Sequence, residues 1–136
     1  MSGRDEMTWL TDIGTYLQLN GIGTVGTDIF YKMFQSGVPN CISLLSSAGS
    51  SPKYTLPIQN SITLERPELR VLVKNTSPSV ADAKAQAIED LLSPKINTTI
   101  GSTRFKSIKK KAPHFFVSQS LTEGTIYSIY FSLEIG

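Results

Sequence analysis

The chain has 136 residues, a length that suits one compact domain, and its single cysteine, Cys41, excludes an intramolecular disulfide scaffold. Hydrophobic residues make up 40% and charged residues 18%, with 17 Ser and 13 Thr, so the composition is that of a globular domain with a largely uncharged polar surface. The net charge of +2 is too small to signal nucleic-acid binding by itself, but it is uneven: residues 1–90 carry 7 basic and 9 acidic groups, residues 91–136 carry 6 and 2.

The opening residues Met1 to Glu6 lack the apolar core of a secretory signal, and no run of about 18 apolar residues occurs, so cytoplasmic synthesis without a membrane span is expected. His114 is the only histidine, which removes a His-based zinc site and leaves a catalytic triad one candidate base.

In chain order, Trp9, Leu10, Ile13, Tyr16 and Leu17 fall on one stripe of a helix that starts near Asp5 and ends near Asn20-Gly21, with Gly21 or Gly23 as the left-handed stop. Asp28 to Phe34 is aromatic-rich and bounded by Gly37 and Pro39, which predicts a strand, and Cys41 to Leu45 is expected to be its hairpin partner. Residues 46–61 carry two prolines and many hydroxyls with no stable period; they read as a mobile loop or as an arm whose alternating Tyr54, Leu56 and Ile58 form a docking strand.

Leu69, Val71 and Val73 share one face of a half-buried strand over 68–74. Ser79 is placed to cap a second helix running to Leu92, with Val80, Ala83, Ala87, Ile88 and Leu91 as its inner face and Lys84 snorkelling from the stripe. Strands are expected at 98–100, 103–111 and 115–118. The last, 125–135, alternates most clearly, with Tyr127, Ile129, Phe131, Leu133 and Ile135 on one face. Residues 121–124 are the turn that joins this strand antiparallel to the one before it. The predicted fold is a single α+β domain, an antiparallel or mixed sheet with both helices packed on it and a long loop or arm at about 46–61.

No constellation supports a reaction. Gly21-Ile22-Gly23-Thr24-Val25-Gly26 follows a helix and enters a strand, the reverse of the order a dinucleotide site needs. Cys41 has no adjacent base, and the pairs Asp5-Glu6 and Glu89-Asp90 sit on helices, the second without an evident partner. No catalytic residue, cofactor or metal is expected. Arg104, Lys106, Lys109, Lys110 and Lys111 place five cations in eight residues; they suit phosphate contact, an acidic partner surface, or a strand edge guarded by lysines.

The chain resembles the small minor capsid or tail terminator proteins of long-tailed bacteriophages. The likeness rests on the opening helix ending at Gly21-Ile22-Gly23, Gly37 to Leu44 leading to Ala48-Gly49, Glu65 to Lys74, the alanine-rich helix Ala81 to Leu92, Pro113 and the closing strand. It implies a non-enzymatic homo-oligomeric ring, usually of six subunits, at the tail–head junction of the virion and assembled in the host cytoplasm. Such a ring caps the tail tube, stops its growth and meets the head completion or connector protein, with DNA passing through without specific binding. The interface residues expected here are Tyr54, Leu56, Ile58, Arg104, Lys106, Lys109, Lys110 and Lys111. The alternatives are a small basic DNA- or RNA-binding module using residues 104–111, and a head–tail connector or tail tube subunit.

Overall fold

The computed structural model describes residues 6–32, 40–47, 53–54, 63–64, 66–120 and 124–135. The first helix, α1 (Glu6–Leu19), buries Trp9, Leu10, Ile13 and Leu17, the predicted stripe. It stops where Gly21 takes a left-handed φ of 78°. Gly21 N–H then reaches the Gln18 carbonyl at 3.1 Å and Ile22 N–H the Leu17 carbonyl at 3.0 Å, so the last turn is closed by a paired glycine cap.

The strands follow in the order β1 (Ile29–Tyr31), β2 (Cys41–Ser47), β3 (Lys53–Tyr54), β4 (Thr63–Leu64) and β5 (Glu68–Asn75). After the second helix, α2 (Pro78–Leu92), come β6 (Lys95–Ile100), β7 (Thr103–Lys110), β8 (Phe115–Ser120) and β9 (Gly124–Ile135). Seven strands form one open mixed sheet in the order β1-β2-β5-β9-β7-β6, with β8 also on β9, while β3 and β4 pair separately. The α+β class is as expected.

The expected hairpin of β1 and β2 is not formed: the two strands run parallel, with Ile29 opposite Ile42 and Tyr31 opposite Leu44. The backbone bonds that fix this direction are Ile42 N–H to the Asp28 carbonyl at 2.7 Å and Lys32 N–H to the Leu44 carbonyl at 2.8 Å. Of the predicted arm, Ser46 and Ser47 continue β2, and Lys53-Tyr54 pairs antiparallel with Thr63-Leu64. Leu56, Ile58 and the Tyr54 side chain lie outside the described residues, as do turn residues 121–123.

Alternation decides which face of each strand meets the helices. Leu69, Val71 and Val73 of β5 stand opposite Phe131, Ile129 and Tyr127 of β9, and Ile108 of β7 stands opposite Leu133. These side chains, with Ile42, Leu44, Phe105 and Ile135, form the core. Complete burial of a single one such as Phe131 is worth roughly 1.5–3 kcal/mol. Both helices lie on this face: α2 packs on β5, β9 and β7, and α1 reaches β1 and β2 as well as β6 and β7. At 1.5 Å per residue the 14 residues of α1 are about 21 Å long, enough to cross several strands spaced about 4.8 Å apart. Its far side is fastened by Asp12, whose carboxylate accepts from Ser102 N–H and Oγ–H at 3.2 Å and from Thr103 Oγ–H at 2.5 Å in the turn between β6 and β7.

The second helix begins two residues earlier than Ser79 allows. Ser77 is the cap, accepting from Val80 N–H at 3.4 Å, and Pro78 takes the first helical position, where its missing N–H costs nothing. Its inner face is also turned from the predicted one. Ala81, Ala85, Ile88, Glu89 and Leu92 are buried, whereas Val80, Ala83 and Ala87 are exposed. Small alanines lie on both sides of this helix, so composition does not select the face. The selecting contacts are the His114 and Lys110 bonds to Glu89 on one flank and the bond from Lys84 Nζ to the Ile22 carbonyl, 3.0 Å, on the other.

Gly124 opens β9 at φ 74°, and a Cβ there would lie 2.5 Å from the Asn75 carbonyl oxygen. Gly26 offers a contrast, with a similar left-handed φ of 89° but open space in its Cβ direction. Gly26→Ala is expected to cost about 1 kcal/mol and Gly124→Ala at least about 2 kcal/mol, since the second adds a backbone collision to the same left-handed penalty. Denaturant midpoints of the two variants check this, and equal losses would count against the close approach to Asn75.

Candidate assembly interface

Twelve residues of β9 serve three neighbours. One edge is bonded to β5 from Thr125 to Ser132. The other is divided: β8 takes Gly124 to Ser128, and β7 takes Phe131 to Ile135. Because β6 lies outside β7 and no described strand lies outside β8, the sheet has a step, and β8 presents an open edge there.

All six residues of β8 are exposed, among them Phe115 at 44%, Phe116 at 54% and Val117 at 41%. The strand contains no charge and no proline. It therefore has none of the side chains that usually protect an open edge from pairing. Phe115 stacks on Tyr130, with ring centroids 6.0 Å apart, and Phe116 sets its edge to Tyr127 at 6.1 Å. Sequence pattern predicts an ordinary strand here; the overlooked signal is the unbroken Phe-Phe-Val run, which puts apolar groups on both faces at once.

The link from β7 to β8 is anchored by a charged cluster. Glu89, on α2 and 2% exposed, accepts the backbone N–H of His114, the His114 Nδ1–H at 3.0 Å and Lys110 Nζ at 3.4 Å. The other ring nitrogen, Nε2, bonds the carboxylate of Asp82 at 2.5 Å, two helical turns earlier on α2. The ring also lies edge-on to Tyr127 at 5.4 Å. Glu89 thus has the partners that are not evident in sequence, where its donors stand 21 and 25 residues away.

Burial alone would lower the His114 pKa, but the hydrogen bonds and charges of Asp82 and Glu89 outweigh it and hold the value above the ordinary 6.5. Burial alone would raise Glu89; its bonds from His114 and Lys110 prevail and hold it below 4.5. The arrangement suits a structural tie between imidazolium and carboxylate. Among the described residues no group of three or more His, Cys, Asp or Glu side chains is placed to hold a metal ion.

The predicted cations are divided between the two faces. β7 is an interior strand between β9 and β6, so the reading of a lysine-guarded edge does not hold. Lys110 stands opposite Phe131 and points to the helical side, where it meets Glu89. Lys109 stands opposite Ser132 on the helix-free face, and Lys111 on that same face pairs with Glu68 at 2.5 Å. Arg104, Lys106 and Lys109 are exposed and make no ion pair with a described residue. Cys41 is buried.

Residues 16–114 match the family described as bacteriophage tail terminator protein. The chain belongs to the bacteriophage tail terminator family. Among solved structures, a chain titled "Virion of native gene transfer agent (GTA) particle" superimposes with a TM-score of 0.55 at 12% identity, covering 97% of this chain and 98% of that one. That likeness extends the shared fold over nearly the full length, beyond the family match to β8 and β9. Among curated protein sequences nothing matches the chain. Membership of the terminator family makes this a structural protein of the phage tail, and it is consistent with a site built from an edge, a charged tie and a basic face.

Below the ordinary histidine value the His114 contribution to stability is fully present, and it is lost as pH rises through the raised folded value. Glu89 contributes fully above 4.5 and loses its contribution as pH falls through its lowered folded value. Stability supplied by the tie is therefore greatest between about pH 4.5 and 6.5. His114→Gln should remove the alkaline decline and cost about 1–3 kcal/mol near pH 6, because Glu89 stays buried with fewer donors. Unfolding midpoints measured from pH 5 to 9 check it; parallel curves for the variant and the parent would oppose it.

Proposed function

We propose that the chain closes into a ring, of six copies, on the end of a finished tail tube, stops tube growth and presents its other side to the head completion or connector protein. The observation that carries this reading is the terminator family match over residues 16–114. The protein acts without catalysis or cofactor, at the tail–head junction of a virion assembled in the host cytoplasm.

A ring follows from the fate of sticky surfaces. A head-to-tail contact that closes on itself consumes every copy of the two patches it uses, whereas one that stays open continues as a filament. The open edge of β8, flanked by Phe115, Phe116 and Val117, is the described surface best suited to subunit contact, because a strand added there gains main-chain hydrogen bonds and apolar cover together. Tyr54, Leu56 and Ile58 are proposed as a second contact element supplied by the arm.

Arg104, Lys106 and Lys109 are assigned to the exposed surface or channel wall of the ring, with Lys111 beside them. Lys110 is already held by Glu89 and contributes to the fold of the same strand. Termination then requires unlike sides, one that matches the last tube ring and one that offers nothing to a further tube subunit.

Removing the protein from an infection tests the assignment directly. Overlong or ragged tubes unattached to filled heads are expected in electron micrographs, and tails of normal length joined to heads would refute it. Phe116→Asp is expected to leave a folded subunit, since the side chain is half exposed, and to lower the mass of the assembled particle to that of free subunits in light scattering.

A further inference from the structure

The sheet face opposite the helices collects cations from two segments of the chain, 66–70 and 104–111. Arg70 of β5 stands opposite Tyr130 of β9, and its guanidinium lies 5.4 Å from the centre of that ring. Lys109 stands opposite Ser132, and Lys111 follows it two residues on, so both point the same way. Arg66, just before β5, reaches Glu134 at 3.6 Å. Arg104 is exposed farther along β7. Among the described residues the carboxylates of this face, Glu68 and Glu134, each already hold a cation, Lys111 and Arg66. What remains is an excess of positive charge on a chain whose net charge is only +2.

Beside Arg66 and Lys109 lies a groove of about 200 Å³ lined by those two residues and by Ser107, Ser132, Leu133 and Glu134. Its hydroxyls and cations offer donors, and its apolar lining residue, Leu133, is 1% exposed and belongs to the core. Phe115, Phe116 and Val117 are exposed on β8, at the end of the face, and Ile96 of β6, 66% exposed, stands opposite Ser107 at the groove's side. Protein partners are held chiefly by buried aromatic or aliphatic anchors, whereas nucleic-acid interfaces are polar, strongly positive and held by phosphate contacts. Phosphate oxygens only accept hydrogen bonds, which is what a surface of Arg, Lys and Ser donors fits.

We propose that this helix-free face is a sequence-independent docking surface for the phosphate backbone of double-stranded DNA, centred on Lys109 and Ser132 with Arg66, Arg70, Arg104 and Lys111 around them. Its location inside the virion, as the wall met by DNA at the tail–head junction, rests on the ring reading; the binding itself does not. Both helices pack on the other face, so no described helix stands on this one to enter a groove, and affinity comes from counterion release.

The test uses the purified full-length protein and a short fluorescein-labelled duplex of mixed sequence, followed by anisotropy across a salt series. Log affinity is expected to fall with log salt at about −0.9 per phosphate neutralised, so roughly −3.6 for four contacts. The double variant Arg104→Gln/Lys109→Gln should lose at least about tenfold in affinity and lower the slope by roughly 1.8. Lys110→Gln, on the opposite face of the same strand, should bind as the parent does, with circular dichroism confirming that each variant is folded. Salt-independent or absent binding would overturn the proposal, as would equal losses from the Lys110 substitution and the double variant. Competition by poly-glutamate as effective as that by unlabelled duplex would also overturn it, in favour of an acidic protein. Tail lengths in infections supplied with the parent protein separate the two readings: a parent that terminates tubes normally but does not bind the duplex defeats this proposal alone, and a parent that binds the duplex but leaves tubes unterminated defeats the ring reading alone.

Discussion

The structure depends on the alternation of β9. Its twelve residues span about 40 Å, and every second side chain from Tyr127 to Ile135 is aromatic or aliphatic and faces the helices. The intervening Ser128, Tyr130, Ser132 and Glu134 form the spine of the opposite face. A strand this long can be bonded along one edge by β5 and still hold two shorter strands, β8 and β7, end to end on the other. A shift of one residue in its register would bring serines into the core and phenylalanine to the surface, so the pattern that builds the core also positions the basic face.

The step in the sheet arises where the chain leaves β7 and returns as β8. Lys111 N–H still donates to the Tyr130 carbonyl at 2.8 Å, and three residues later His114 is bound by both Asp82 and Glu89. A connection of this length would otherwise be free to swing, and β8 with it. By fastening His114 to α2, which is itself packed on β5 and β9, the fold gives the open edge a fixed direction. Ordering that link before assembly reduces the conformational entropy that a neighbouring strand would have to overcome on pairing.

Much of this is legible in the sequence wherever period and punctuation agree. The α1 stripe with its glycine stop, the β5 and β9 alternations and the α+β class all follow from local pattern, because the same residues that favour an element also bury its face. The α2 face is not legible: alanines occur around the helix, and the orientation is set by Glu89, Lys84 and their distant partners. The direction of β1 against β2 is hidden for a related reason, since short apolar strands specify pairing partners weakly and the parallel ladder is fixed by backbone bonds. The cation run tells how many charges there are, but it does not tell sides. Successive residues alternate, so Lys109 and Lys110 fall on opposite faces with unlike roles, and the irregularity between Phe105 and Ser107 brings Phe105 and Ile108, three residues apart, to the same face.

These features give the proposed ring two surfaces that do not compete. An edge strand recruits a neighbour in the plane of the sheet, through main-chain bonds whose direction is lateral, while the basic face acts along the sheet normal and through charge. Lateral contacts of that kind are short-ranged and weakly affected by salt; the face is long-ranged and screened within about 10 Å at 0.1 M ionic strength. In the ring as proposed, subunits close on one another through β8 and leave Lys109 and Ser132 uncovered. In the proposed ring that separation lets the seam hold while the basic face meets DNA.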